Sequence, residues 1–587
     1  MSQEKKKKDS ILSLLKYAGK YKWPLMLCPV VMIGEVAMET YIPKLIQRLI
    51  DEAIPYSEQN GEISQVLLCG GLMIVMALIS MCFGMAGSYL GAKGGMGFGR
   101  NLRQALFEKI QTFSFKNIDK FSTASLVTRI TTDVNQTQNT LIMLVRMAFR
   151  SPIMFLMSLI YALQMNPSLT TILFIAVPLL AAGIIIIMRN AFPRFQIMMK
   201  KYDIMNREVQ ENLIAIRVVK AFVRSEFEKK KFGAAADDVT KAQRSAEKVV
   251  LWNGPMMQIL MNGCIVAVLW FGGQQIIRGE MGVGALLTFI TYITQILMAL
   301  MMLSFLFLGI VLSRASISRI LEVLHEEPDI ANPENAVMEV KDGEIEFDHV
   351  GFSYAGDQDN LVLQDISLHI RSGETIGLIG ATGSAKTSLV SLIPRLYDVT
   401  CGTLKVGGRD VRDYDIHALR DQVAMVLQKN VLFSGSINEN LRWGSERATD
   451  EEITAACQAA AADDFVRSFP DGYETDLGQG GVNVSGGQKQ RLCIARALLK
   501  RPRIMILDDA TSAVDTATDA RIREALRSHM PETTKIIIAQ RITSVMDADR
   551  VVVLDNGRIA DVGTHDELLA RCEIYRDVYL SQQKGVA

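Results

Sequence analysis

Lys386, Thr387, Asp508, Asp509 and Gln540 have the types and spacing needed to handle a phosphate chain. The apolar strand Ile376-Gly377-Leu378-Ile379 runs into Gly380-Ala381-Thr382-Gly383-Ser384-Ala385-Lys386-Thr387-Ser388, and an apolar helical start follows. In such a loop, backbone N–H groups and a helix N-terminus cradle phosphates, the lysine reaches the β and γ oxygens, and the threonine binds Mg²⁺. The strict pattern places glycine where Ala385 stands, and a Cβ there can crowd the loop or restrict its backbone. A second apolar strand, Ile504-Met505-Ile506-Leu507, ends in Asp508 and Asp509, the usual place for an ATPase's magnesium ligand and catalytic base. About thirty residues on, Ile536-Ile537-Ile538-Ala539 ends in Gln540.

Other residues complete an ordered set. Tyr354 precedes the loop by about 25 residues and can stack on adenine. Gln428 follows the strand Val423–Leu427 and can reach the metal and a docking interface. Ser485-Gly486-Gly487-Gln488 opens another helix and makes a second anion site, pointed away from the first. Ser512-Ala513-Val514-Asp515 follows the acid pair.

The elements that must position these residues fall into two halves. The chain has 587 residues, 63 basic and 63 acidic, so net charge gives no indication of a nucleic-acid partner. Apolar residues form long runs up to about Arg314 and strand-sized pieces after Gly343, a membrane half joined to a soluble half. The eight cysteines show no metal-binding spacing and read as free, mostly buried thiols. The polar N-terminus with Lys5-Lys6-Lys7-Lys8 reads as a cytoplasmic anchor, and the first apolar run is too long and too far in for a cleaved signal peptide.

Six runs approach the roughly 20 residues that cross a bilayer: Trp23–Ile50, Gln65–Leu90, Leu141–Met165, Leu169–Met188, Val250–Ile277 and Gly284–Val311. The gaps after runs two and four are long and rich in Lys and Arg, which puts them, and both termini, in the cytoplasm. The first short gap carries Asp51, Glu52, Glu58 and Glu62 and no Lys or Arg, which fits the outside. Apolar periodicity in the long gaps predicts helices extending beyond the membrane, with crossing segments near Ile118–Leu126 and Asn212–Phe222 that can dock the soluble half. Glu35 and Glu39 in run one, and Arg146 and Arg150 in run three, are each four apart and so share a helix face. They either pair structurally or line a polar translocation cavity. The Met-rich runs can adapt to varied ligands, although lipid-facing or core packing also accounts for them.

With these residues in order the chain resembles the ABC transporter family, specifically its exporter-type half-transporters. The resemblance covers almost the whole chain, and Val484-Ser485-Gly486-Gly487-Gln488 is its most specific marker. It implies a membrane all-α domain of six helices fused to an α/β phosphate-loop ATP-binding cassette. The expected divisions are 1–22 for the basic N-terminus and interfacial helix, 23–320 for the transmembrane domain, 321–342 for a linker and 343–587 for the cassette. ATP and Mg²⁺ are the implied ligands, with Thr387, Gln428 and Asp508 on the metal. Tyr354, Gly380, Thr382, Gly383, Ser384, Ala385, Lys386, Thr387, Ser388 and Gln428 would bind ATP.

The resemblance further implies two cassettes meeting head to tail, each ATP held between one chain's phosphate loop and the other chain's Ser-Gly-Gly-Gln turn. Ser485, Gly486, Gly487, Gln488 and Asp515 would then act in trans. Asp509 and Gln540 are departures, because the family normally carries Glu and His at these catalytic positions. Asp is about 1.5 Å shorter in reach, and displacement of about 1 Å can cost on the order of 10²-fold. Gln cannot carry the charge available to His. Gln479 also stands where exporters usually carry Glu. The expected protein is one subunit of a heterodimeric exporter in a bacterial cytoplasmic membrane, with membrane lipid around it. Its own site would be slow, and it would move drug-like or amphiphilic substrates. A homodimer, a lipid or peptide exporter, an exporter-fold siderophore importer and a regulatory subunit are the alternatives.

Overall fold

The computed structural model describes residues 11–584, so the Lys5–Lys8 cluster lies outside the described residues. The chain divides into two compact units. The first comprises Met1–Gln111 and Ala124–Glu326, and the second Thr112–Thr123 and Glu327–Ala587.

In the first unit six helices are long and apolar enough to cross a membrane, among the described residues. The helix Ser64–Gln111 has 48 residues, about 72 Å at 1.5 Å per residue, more than twice the roughly 30 Å hydrocarbon core. Pro167–Ile214 is equally long, so the extensions expected from the basic gaps are continuous helix. Leu67, Ile175, Ile259 and Trp270 on these helices are exposed, as apolar side chains facing lipid are, and helical hydrogen bonding is what lets such segments stand in hydrocarbon.

Close packing is set by small residues. A Cβ on Gly94 would lie 2.7 Å from Leu25 of the helix Lys22–Arg48, so glycine lets the two helices approach. Asp51, expected only as a marker of the outer face, accepts from the N–H of Gly284 (2.7 Å) and Ala285 (2.9 Å). It therefore caps the helix Val283–His325, whose first turn offers unsatisfied donors. At the other end of that helix Arg319 bonds the buried Asp133 (2.7 Å), and Arg129 bonds Glu322 (2.7 Å).

The second unit carries two sheets. β1 (Ile345–Phe352), β2 (Leu363–Ile370), β4 (Cys401–Val406) and β5 (Arg409–Asp410) form an antiparallel sheet in the order β2-β1-β4-β5. The other contains β3 (Thr375–Gly380), β6 (Val423–Val426), β7 (Ile504–Asp508), β8 (Thr534–Ile538), β9 (Arg550–Asp555) and β10 (Arg558–Gly563) in the order β10-β9-β3-β8-β7-β6. Its β9-β3-β8-β7-β6 part is parallel. Both β7 and β8 are buried along their whole length, the signature of a strand covered on both faces.

The first crossing segment begins earlier than expected. Ser114 and Asn117 cap each other's backbone and start a helix at Phe115, which ends at Phe121; a second helix, Thr123–Thr128, follows Ser122. The segment packs within the second unit: Asn117 Nδ2 donates to the Glu327 carbonyl (3.3 Å), and Asp119 accepts from the Tyr397 hydroxyl (2.9 Å). The other crossing helix is Ile216–Ala221, set off from the long helix by a break at Ala215. Leu213, Ile214 and Phe222 around it are exposed.

Candidate nucleotide site

Strand order explains why residues far apart in sequence share one edge. β3, β8 and β7 are neighbours and parallel, so their C-terminal ends open on one side of the sheet, the usual ligand side. Gly380 ends β3, Gln540 follows β8, and Asp508 and Asp509 lie at the end of β7.

Gly380 is required where it stands, since a Cβ there would lie 2.2 Å from the Leu554 carbonyl. Lys386 Nζ donates back to the carbonyls of Gly380 and Ala381 (2.8 Å each) and to Ser384 Oγ (3.2 Å). Burial pushes its pKa below the usual lysine range. The loop thus holds a partly desolvated cation ready to exchange neutral acceptors for phosphate oxygens. Thr387 Oγ1 donates to Asp508 Oδ2 (2.8 Å). Asp508 is 2% exposed, and burial raises its pKa, partly opposed by the Thr387 hydroxyl. The hydroxyl of the exposed Thr387 and the buried Asp508 carboxylate, side by side, form a hard-oxygen pair that suits Mg²⁺.

Ala385 adopts φ 70°, ψ 22°, the left-handed region that suits glycine. The loop therefore keeps its shape and carries strain of about 1 kcal/mol. Because that strain is present before any ligand binds, Ala385→Gly should raise the unfolding midpoint of the solubilised protein by about 2–4 °C and change ATP affinity less than about twofold. A large gain in affinity instead would mean that the Cβ obstructs phosphate.

Gln540 Nε2 donates to Asp509 Oδ2 at 2.9 Å. The two departures from the family pattern are therefore hydrogen-bonded to each other. Asp509 also has φ 51°, a backbone that Asp tolerates better than longer side chains.

Tyr354 is 45% exposed, and its hydroxyl is 2.8 Å from Ser388 Oγ. Its ring meets Tyr397 edge-on at 5.2 Å. Tyr397, for which the sequence offers no signal, thus joins the expected adenine platform to Asp119 of the crossing segment. Gln428 is exposed just beyond β6.

Ser485 N-caps the helix Gly486–Leu499 in a capping box with Gln488, a pairing visible in sequence as Ser-x-x-Gln. A Cβ on Gly487 would lie 2.7 Å from the Ala513 carbonyl. Gln490, which sequence reasoning missed, is 4% exposed. It donates to Ser512 Oγ (3.0 Å) and accepts from the Ala513 N–H (3.0 Å), tying this helix to the segment after Asp509. Asp515 caps the helix Thr516–His529 through the Thr518 N–H (2.9 Å), so its carboxylate has a structural partner within its own chain. A polar residue at a buried position of an otherwise apolar helix face was the signal available for Gln490.

Of the membrane charges, Arg150 bonds Glu39 (2.7 Å) and lies 3.5 Å from Glu35. A cavity of about 420 Å³ is lined by Glu35, Arg146 and Arg150 together with Met32, Met143, Met147 and Met302. Pairing and cavity lining therefore occur together: both acids lie against Arg150, and of the two Glu35 lines the space while Glu39 does not.

A membrane bundle of six long helices fused to a phosphate-loop cassette defines an ATP-driven membrane transporter. The transmembrane region of ABC transporters matches residues 25–300, and the ABC transporter ATPase family matches residues 363–512. The chain is 38% identical over 94% of its length, and 95% of the relative's, to an uncharacterized ABC transporter ATP-binding protein, YfiB, of Bacillus subtilis. It is 33% identical to the ATP-dependent lipid A-core flippase of Syntrophus aciditrophicus (82% of this chain, 80% of that one). It is also 33% identical to the putative multidrug export protein YgaD of Bacillus subtilis (82% and 83%). A bacterial Atm1-family ABC exporter with ATP bound shares the fold, with a TM-score of 0.80 and 24% identity over 97% of this chain and 99% of that one. The chain belongs to the ABC transporter family. It is an integral membrane protein of exporter-type fold whose cassette binds ATP and couples its hydrolysis to transport.

Proposed function

We propose that this chain is one subunit of a heterodimeric exporter whose two ATP sites differ. Its own site, built on Lys386, Thr387, Asp508, Asp509 and Gln540, retains ATP and turns it over slowly. Its Ser485–Gln488 turn, with Asp515 behind it, completes the competent site of a second half-transporter. The bond between Asp509 and Gln540 carries this reading. The carboxylate that should orient water and the side chain that should reach the γ-phosphate are engaged with each other, while the turn offered to the partner is intact.

Thr387 and Asp508, with Gln428 reaching in, would hold Mg²⁺, which neutralises phosphate charge when bound. Lys386 and the N–H groups of the loop from Gly380 to Ser388, Thr382 and Gly383 included, hold the β and γ oxygens, and Tyr354 stacks on adenine. Asp509 is too short to take the position of the longer acid, so the water that attacks the γ-phosphorus is poorly oriented at this site.

Both termini lie in the cytoplasm and the membrane is the bacterial cytoplasmic one, as the basic long gaps support. The substrate is amphiphilic. The cavity lined by four Met residues together with Glu35, Arg146 and Arg150 supports this, as do relatives named for multidrug and lipid A-core substrates; the second name keeps lipid export as the main alternative. In inside-out vesicles carrying this chain and its partner, ATP should drive accumulation of a fluorescent amphiphile. ATP-driven depletion would instead mean uptake, and full activity of this chain alone would exclude the heterodimer.

A further inference from the structure

The helix Glu573–Lys584 turns a polar side chain back on the candidate site. Tyr575 is fully buried and bonds His565 Nδ1 (2.8 Å). With the partly buried Val578 and Tyr579 it fixes the helix on the cassette core. Gln582 lies seven residues past Tyr575 and so on the same face. Its Nε2 donates to the carbonyl of Gln540 (2.7 Å), and its Oε1 accepts from the N–H of Ile542 (2.9 Å). Both partners are backbone groups of the turn after β8, and the Gln540 side chain on that turn reaches Asp509 (2.9 Å). The carbonyl of Asp509 in turn accepts from Ser512 Oγ (3.0 Å).

We propose that Gln582 is a positioning residue for this chain's ATP site, setting the turn that holds one Gln540 amide N–H on Asp509 and leaves its second N–H to meet the γ-phosphate as a neutral donor. The proposal rests on the reading of Asp509 and Gln540 given above. An amide supplies a donor and an acceptor in one plane, as a carbonyl and an N–H two residues apart require. Released from Gln582, the turn gains freedom and Gln540 spends less time on target. Loss of two neutral hydrogen bonds corresponds to about a tenfold effect.

The test uses membranes carrying the full-length chain with its native partner. After loading with 8-azido-ATP and Mg²⁺ and washing, nucleotide retained on this chain is followed by photolabelling. Gln582→Leu should shorten retention about tenfold, and Gln582→Glu, which keeps only the acceptor, by less. Labelling by Mg²⁺-free azido-ADP should be unchanged. In a Gln540→Ala background Gln582→Leu should have no further effect, because Gln582 acts through Gln540. Unchanged retention, a matching fall in ADP labelling, or a full tenfold fall in the Gln540→Ala background would each overturn the proposal. If Gln582→Leu fails to accumulate, Gln582→Glu decides by the same criteria. If the wild-type site proves fast, the slow-site reading fails, and the same comparisons made on its initial turnover still decide the role of Gln582.

Discussion

Gly486→Asp in this chain should cut steady-state ATP turnover of the assembled transporter by about 100-fold while leaving ATP retention on this chain intact. The fold has room for the change: a Cβ on Gly486 meets only Ala513 Cβ, at an ordinary 3.8 Å. The added carboxylate would face the γ-phosphate held by the partner. Like charges about 4 Å apart at an effective dielectric near 20 repel by about 4 kcal/mol, and about 3 kcal/mol already accounts for 100-fold. Turnover and azido-ATP retention, measured on the same membranes, separate the two sites. Loss of retention on this chain would show that its turn serves its own nucleotide.

The second large effect is a gain. Asp509→Glu combined with Gln540→His should raise hydrolysis at this chain's own site by about 10- to 100-fold, the scale set by correcting an error in reach of about 1 Å. Each change alone should give much less. Asp509 and Gln540 are bonded to each other, so one replacement leaves its neighbour aimed at the wrong partner, and contacting residues do not add. The left-handed backbone at residue 509 also favours Asp over Glu and works against the single Asp509→Glu change. Turnover would be read with the partner's catalytic glutamate changed to Gln, so that only this site contributes. An unchanged rate in the double variant would place the slowness elsewhere, for instance at Ala385.

What was legible in the sequence was local. The phosphate loop, the acids at the end of an apolar strand and the Ser-Gly-Gly-Gln turn are short patterns in which spacing alone dictates chemistry, and the parallel sheet delivers them to one edge. The six spans were legible because a bilayer demands length and apolarity. Contacts made across long separations were not. Asp51 looked like a marker of the outer face, yet it caps a helix more than 230 residues later, because an unsatisfied helix start attracts any nearby carboxylate. Tyr397 and Gln582 act through folded geometry alone, and nothing in their neighbours' spacing marks them. Ala385 was visible as a departure, but its consequence, a retained loop under backbone strain, needed the φ angle. The four membrane charges were visible as two helical pairs, whereas the meeting of Glu35, Arg146 and Arg150 at one cavity, with Glu39 paired to Arg150, depends on how the first and third spans pack.

The division of labour between the two sites is tested most directly by neutralising each acid in turn, in the complete transporter, and measuring ATP turnover. With the partner's catalytic glutamate changed to Gln, turnover should fall by about 100-fold or more, while Asp509→Asn should change it less than about threefold. Turnover surviving the first change and collapsing with the second would make Asp509 a working base and contradict the asymmetric-site account.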